Sequence, residues 1–299
     1  MTVIEDQKSF DEWLTQPGFT QATEEQERYY IENARAKIAK MSAQNDLQAG
    51  VYLSTVSEGG KDGYGIASKN LIKEFEKAGI AVSTHYTGQK VAILFHNPYG
   101  IPRIEAPYRI IYTMFESTKI PDNWLDYLNA ADEVWVPSKW NQEVFAKEGV
   151  KTTVVPLGYD EEAFKFIERK EARKERRPFT FLHYNAFNIR KGFTEVWKAF
   201  TAEFEKTEPV KLILKTTLNH SPLPITKGEY PNIEVIYGRL PENELYDIMK
   251  RSDCFVFPSR GEGFGMTPLE AMATGLPAII PTAHGISQYF DEKYMYEVK

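Results

Sequence analysis

The chain has 299 residues, 42% apolar and 26% charged, a composition that fills the cores of about two ordinary domains and excludes a disordered chain. The formal charge of −6 argues against a nucleic-acid backbone as the main partner. A single cysteine, Cys254, rules out an intrachain disulfide and fits a reducing, cytoplasmic setting; its place in the apolar run DCFVF reads as a small core residue.

The N-terminal stretch MTVIEDQKSFDEW lacks the basic start and apolar segment of a signal peptide. No apolar run approaches the roughly 18 residues that cross a membrane. Residues 1–47 read as a helical extension. Thr23 and Gln26 form a capping box, and Tyr30, Ala34, Ile38 and Met41 then share one face of a helix that docks on the body.

From residue 48 strands and helices alternate. GVYLST reads as a strand and VSEGGKDGYG as a glycine-rich loop. IASKNLIKEFEKAG reads as a helix stopped by Gly79. VAILF, RIIYTM, EVWVP and TTVVP read as strands. PDNWLDYLNAA reads as a helix, as does KWNQEVFAKEG with Ser138 as its N-cap. The run ERKEARKERR, with nine charged residues in ten, reads as a solvated linker. Beyond it the alternation restarts: strands FTFLHY, VKLILKTT, NIEVIYG, DCFVFP and PAIIP, with helices FTEVWKAFTAEFEK and PENELYDIMKRS between them. Such alternation implies parallel sheets with helices on both faces. The fold class is α/β, with two doubly wound Rossmann-like halves, residues 48–170 and 171–299, facing a central cleft beyond the strand ends.

One stretch concentrates chemistry. SRGEGFGMTPLEAMATGLPAII follows a strand and opens a helix. Gly261, Gly263 and Gly265 leave amides accessible beside a helix N-terminus, an anion site. Glu262 and Glu270 flank it, and carboxylates there suit sugar and ribose hydroxyls better than phosphates. Thr267-Pro268-Leu269-Glu270 is also a capping box, so Glu270 is expected either on the Thr267 amide or on a ligand.

Glu262 and Glu270 bracket GFGMTPL, and this spacing resembles the paired-glutamate signature of retaining glycosyltransferases of the GT-B fold, particularly glycosyltransferase family 4. Four further stretches are similar to that family in the right order: EGGKDGYG, ADEVWVPSKWNQEVFAKEGV with VVPLGYDEEAF, NIRKGFTEVWKAF, and YGRLPENELYDIMKRSDCFVFPS. Five motifs in register are far more specific than one glutamate pair.

The resemblance implies a nucleoside-diphosphate sugar donor, UDP- or GDP-linked, with no metal and no other cofactor. It implies ribose hydroxyls on Glu270 and sugar hydroxyls on Glu262. Backbone amides of Gly263, Phe264, Gly265, Met266 and Thr267 would face the sugar and diphosphate. Lys191, with Arg190 beside it, would neutralise the diphosphate. Arg239 and Leu240 would meet the base, and Gly60, Gly63 and Gly65 would let the first domain approach the donor. The acceptor hydroxyl stays open among a glycan, a lipid-linked molecule, a protein and a small molecule; nucleic acid is disfavoured, and peripheral membrane contact stays open.

The chain departs from the pattern in places. Ala186 stands where the family often has arginine, and Phe115 and Glu116 where it often has histidine. Glu116 reads either as a ligand for a sugar or acceptor hydroxyl or as a cap. His96 reads either as a cleft residue or as a histidine bonded within its loop. The chain also stops at Lys299, short of the sheet and crossing helix that the family normally adds. Two other readings are carried beside the transferase: a sugar-nucleotide-binding scaffold without activity, and a glycoside hydrolase using Glu262 and Glu270.

Overall fold

A computed structural model describes residues 48–55, 63–168, 177–218 and 229–298. The expected N-terminal helix, Gly60 and most of the charged run at 168–177 lie outside the described residues.

The first body is built from β1 (Gln48–Ser54), α1 (Gly63–Lys77), β2 (Val82–Ser83), β3 (Gln89–Phe95), β4 (Tyr108–Tyr112), α2 (Leu125–Asn129), β5 (Glu133–Val136), α3 (Lys139–Lys147) and β6 (Thr153–Val154). Its six strands are parallel in the order β2-β1-β3-β4-β5-β6. The second body holds β7 (Phe179–Asn185), α4 (Phe193–Glu203), β8 (Val210–Thr216), β9 (Ile233–Ile236), α5 (Glu242–Lys250), β10 (Cys254–Val256), α6 (Met266–Ala273), β11 (Ala278–Ile280) and β12 (Met295–Glu297). It is again parallel, in the order β12-β11-β10-β7-β8-β9. This is the doubly wound pair that the alternation implied.

The central strands are apolar on both faces because helices cover both. In β3, Ala92 to Phe95 are all buried, and in β8 Leu212, Ile213 and Leu214 are at most 1% exposed. Each of the Leu, Ile and Phe side chains among them contributes about 1.5–3 kcal/mol of transfer energy. Ala163 and Phe164 pack into the core of the second body, and the Ile167 amide donates to the Thr274 carbonyl at 3.2 Å. The chain therefore joins the second body before the charged linker.

Local signals held in several places. Ser138 caps α3 by accepting from the Asn141 amide at 3.2 Å, and Gly79 stops α1 at a φ of 75°. Other expectations need correction. PDNWLDYLNAA is a 3₁₀ turn over Asp122–Trp124 followed by the five-residue α2. α1 begins at Gly63, so Gly63 and Gly65 sit in its first turn and not in a loop. β2 and β12 are strands of two and three residues that had no apolar run to announce them. Among the described residues no helix is long and apolar enough to cross a membrane.

The two bodies meet tightly. The Ser138 hydroxyl, besides capping α3, donates to the Gly263 carbonyl of the second body at 2.8 Å. Trp140 stands edge-on to the His284 ring with centroids 5.0 Å apart. A Cβ on Gly263 would come within 2.6 Å of the Met114 Cβ across this seam, and one on Gly261 would overlap the Glu116 carbonyl. Neither neighbour is a flexible tip. Gly263→Ala is therefore expected to destabilise the chain by about 1–3 kcal/mol in denaturant unfolding, the cost of overpacking. An unchanged midpoint would show that the seam opens freely.

Candidate active site

The seam between the bodies is a cleft of about 760 Å³, lined from both sides. Met114 and Glu116 follow β4, and Gly63, Tyr64 and Ile66 open α1. The opposite wall runs along the carboxyl ends of the second sheet, where open α/β folds bind ligands.

The strand order lays this wall out. After β10 the loop 257–265 carries Glu262. After β7 the turn 188–192 carries Lys191. Lys215 lies near the end of β8, and Arg239 follows β9. The turn at Lys191 is built locally. The Asn188 side chain accepts from the Lys191 amide at 2.9 Å, and Gly192 takes a φ of 73°. A Cβ on Gly192 would sit 2.5 Å from the Pro258 carbonyl oxygen, so glycine alone permits this approach of the two loops.

Glu262 is 5% exposed and ionised. Lys191 Nζ donates to both of its oxygens, at 2.7 and 2.9 Å. The Ser259 hydroxyl donates to Oε1 at 2.5 Å, and Arg190 Nη1 lies 3.2 Å from the same oxygen. Burial alone would raise the carboxyl pKa, but the adjacent Lys191 and Arg190 charges hold it below the usual carboxylate range. Burial pulls the Lys191 ammonium down, and Glu262 opposes that pull. Arg190 also donates to the Gly261 carbonyl and places Nη2 3.4 Å from Glu116 Oε1. Arg190 thus points into the site and not to solvent, and Glu116 faces it from the other body.

Glu270 is the opposite case. It is 6% exposed and lines the cleft, yet among the described residues no hydrogen bond reaches its carboxyl. Burial, reinforced by Glu242, pushes its pKa up to about 7. The expected capping box does not form. α6 begins at Met266 with Gly265 as N-cap at a φ of 89°, and no side chain caps it. Shifting the helix start two residues toward the N-terminus removes Thr267 from the N-cap position, and with it the competitor for Glu270.

Gly263, Phe264, Gly265, Met266 and Thr267 all line the cleft at the α6 N-terminus, as do Arg239, Leu240 and Gly63. Two expected residues stand apart. Gly65 is buried in the first turn of α1, outside the lining. His96 packs its ring against Tyr64, centroids 4.8 Å apart, so Tyr64 meets the cleft and His96 stands behind it. Sequence reasoning missed Lys215, Tyr184 and Ser259. Lys215 shares the apolar run VKLILKT with Lys211 and gave no sign of its burial, and Ser259 and Tyr184 gave no signal either. Among the described residues no group of three His, Cys, Asp or Glu side chains converges as a metal site.

Residues 164–295 match the family model of the glycosyl transferases group 1. The second half of this chain is thus similar to the group 1 glycosyltransferases. Relatives of this chain include a putative glycosyltransferase of Acidianus filamentous virus 1, 30% identical over 52% of this chain and 47% of that protein. Another, from a Sulfolobus islandicus filamentous virus, is 31% identical over 52% of this chain and 42% of its own length. The matched part therefore spans less than half of each of these relatives. Among solved structures, the sucrose-phosphate synthase of Thermosynechococcus elongatus superposes with a TM-score of 0.64, at 15% identity over 84% of this chain and 86% of that one. Anabaena HepE, solved in complex with UDP and glucose, gives 0.62 at 14% identity over the same shares. At these identities the likeness shows the fold, the two-domain GT-B architecture.

Proposed function

We propose that this chain is a retaining glycosyltransferase that moves a sugar from a nucleoside-diphosphate sugar, UDP- or GDP-linked, to an acceptor hydroxyl. The observation that carries the reading is the pairing of unlike carboxyls around one helix N-terminus. Glu262 is ionised among cations, and Glu270 is buried and unbonded in the same cleft. A diphosphate placed at the amides of Met266 and Thr267 gains from the α6 dipole and from Lys191 and Arg190. Lys191 then moves its charge from Glu262 to the phosphates, which frees Glu262 oxygens for sugar hydroxyls. Glu270 accepts the ribose hydroxyls.

In the transfer step the bond between the anomeric carbon and the diphosphate oxygen breaks. The acceptor oxygen bonds to that carbon on the same face, and its proton passes to the departing phosphate. Fixed cations and amides aimed at the charge growing on the leaving group lower this barrier without reorganising. Closure of the cleft keeps water from competing.

A panel of nucleoside diphosphates and their sugars tests the reading by thermal shift. A true donor at 100 times its dissociation constant stabilises the fold by about 2.7 kcal/mol. No shift with any of them would overturn the proposal. Ala186, exposed in the cleft wall where the resemblance expects an arginine, favours one second reading, a donor-binding protein without transfer. Donor binding with neither product nor donor hydrolysis across an acceptor panel would decide for it.

A further inference from the structure

Lys215 is 2% exposed, yet it lines the cleft. Its Nζ donates to the Gly238 carbonyl at 2.6 Å and the Thr216 carbonyl at 3.1 Å, and stands 5.4 Å from the centre of the Tyr184 ring. An ammonium has three N–H donors, and these two carbonyls take two. Among the described residues no carboxylate pairs with it. Its neighbours along β8 are Leu212, Ile213 and Leu214, so an apolar side chain would suit the core better. A buried charge without a counter-ion costs stability, and burial together with Arg239 pulls this ammonium down to about 8.

Its position separates it from the phosphate-type cations. Lys191 and Arg190 gather around Glu262, between the ends of β7 and β10. Lys215 lies on the other side of β7, beside the loop that carries Arg239. The lining at that end is aromatic and apolar: Tyr184, Leu240, Leu245 and Phe164. An apolar wall of that kind with a buried donor at Lys215, and Arg239 beside it, suits a heterocycle presenting an acceptor atom. A diphosphate would instead need several donors converging.

We propose that Lys215 selects the nucleobase of the donor, giving its remaining N–H to an exocyclic keto oxygen such as that on C4 of uracil or C6 of guanine. The ammonium cannot accept, so the amino group at the same place in cytosine or adenine meets only donors. This rests on the nucleotide-sugar reading above.

Calorimetric titration of UDP, CDP, GDP and ADP tests it on the full chain and on Lys215→Met. In the unmodified chain the keto member of at least one size-matched pair, UDP over CDP or GDP over ADP, should bind roughly tenfold tighter or more. Lys215→Met should bring that pair close to equal, mainly by weakening the keto nucleotide. Equal affinities within both pairs in the unmodified chain would overturn the proposal without any variant. Equal weakening of all four nucleotides by Lys215→Met would also overturn it, because the ammonium would then serve the shared diphosphate or ribose. No binding of any nucleotide to the unmodified chain would overturn the nucleotide-sugar reading itself.

Discussion

Glu262→Ala is expected to cut sugar transfer by roughly 10- to 150-fold, while the affinity for a nucleoside diphosphate holds or rises. The first effect follows from losing a charged hydrogen-bond partner of the transferred sugar, worth about 1.5–3 kcal/mol in the transition state. The second follows from the ion pair. In the described state Lys191 Nζ is committed to both Glu262 oxygens, and a diphosphate must draw it away. The variant starts with that ammonium unengaged. Stability should move the other way. Removing one partner of a buried pair leaves the other uncompensated, a loss of about 3 kcal/mol. Added nucleotide should then recover more melting temperature in the variant than in the unmodified chain, because phosphate replaces the missing carboxylate. Transfer assays, calorimetry and melting curves separate the three effects. Retained transfer together with weakened nucleotide binding would remove Glu262 from the sugar and place it among the phosphate-site supports.

The second sheet and most of its site were legible because their signals are local. Apolar runs bounded by glycine and proline marked the strands, and KG after FNIR and EGFGMTPLE after DCFVFP marked two strand-end loops. What could not be read depended on neighbours far along the chain. The start of α6 is decided by the left-handed Gly265, against whose position a Cβ would meet the Tyr289 hydroxyl at 2.8 Å and an Ile286 carbon at 3.1 Å. The role of Arg190 depends on Gly261 and Glu116, the latter brought in by the other body. His96 and Tyr64 compete for one place, and only packing shows that the ring of Tyr64 takes it. Lys215 looked like an ordinary strand-end lysine until its burial was known.

Glu270→Gln is expected to stabilise the empty chain at pH 8 and to weaken nucleotide binding there. The sign follows from the proton count. The Glu270 carboxyl keeps its proton up to about 7 in the folded chain, against an ordinary value of 4.5 when unfolded. Between those values the folded state holds more protons than the unfolded state, so the stability contributed by this group falls as pH rises through this window and is gone above it. A shift of that size corresponds to about 3 kcal/mol. Glu270→Gln has no proton to lose, so its stability should lack that slope. Ribose hydroxyls donate to the ionised carboxylate, so a bound nucleotide should draw the group back toward ionisation. Nucleotide affinity should therefore rise from pH 6 to pH 8, and binding near pH 6.5 should release protons. Titrations in buffers of different ionisation enthalpy measure that release, and its disappearance in Glu270→Gln separates it from protons lost by the diphosphate. A release unchanged in the variant would mean that Glu270 stays protonated under the nucleotide and serves as a donor. The buried, unbonded carboxyl would in that case meet an acceptor atom and not the ribose hydroxyls.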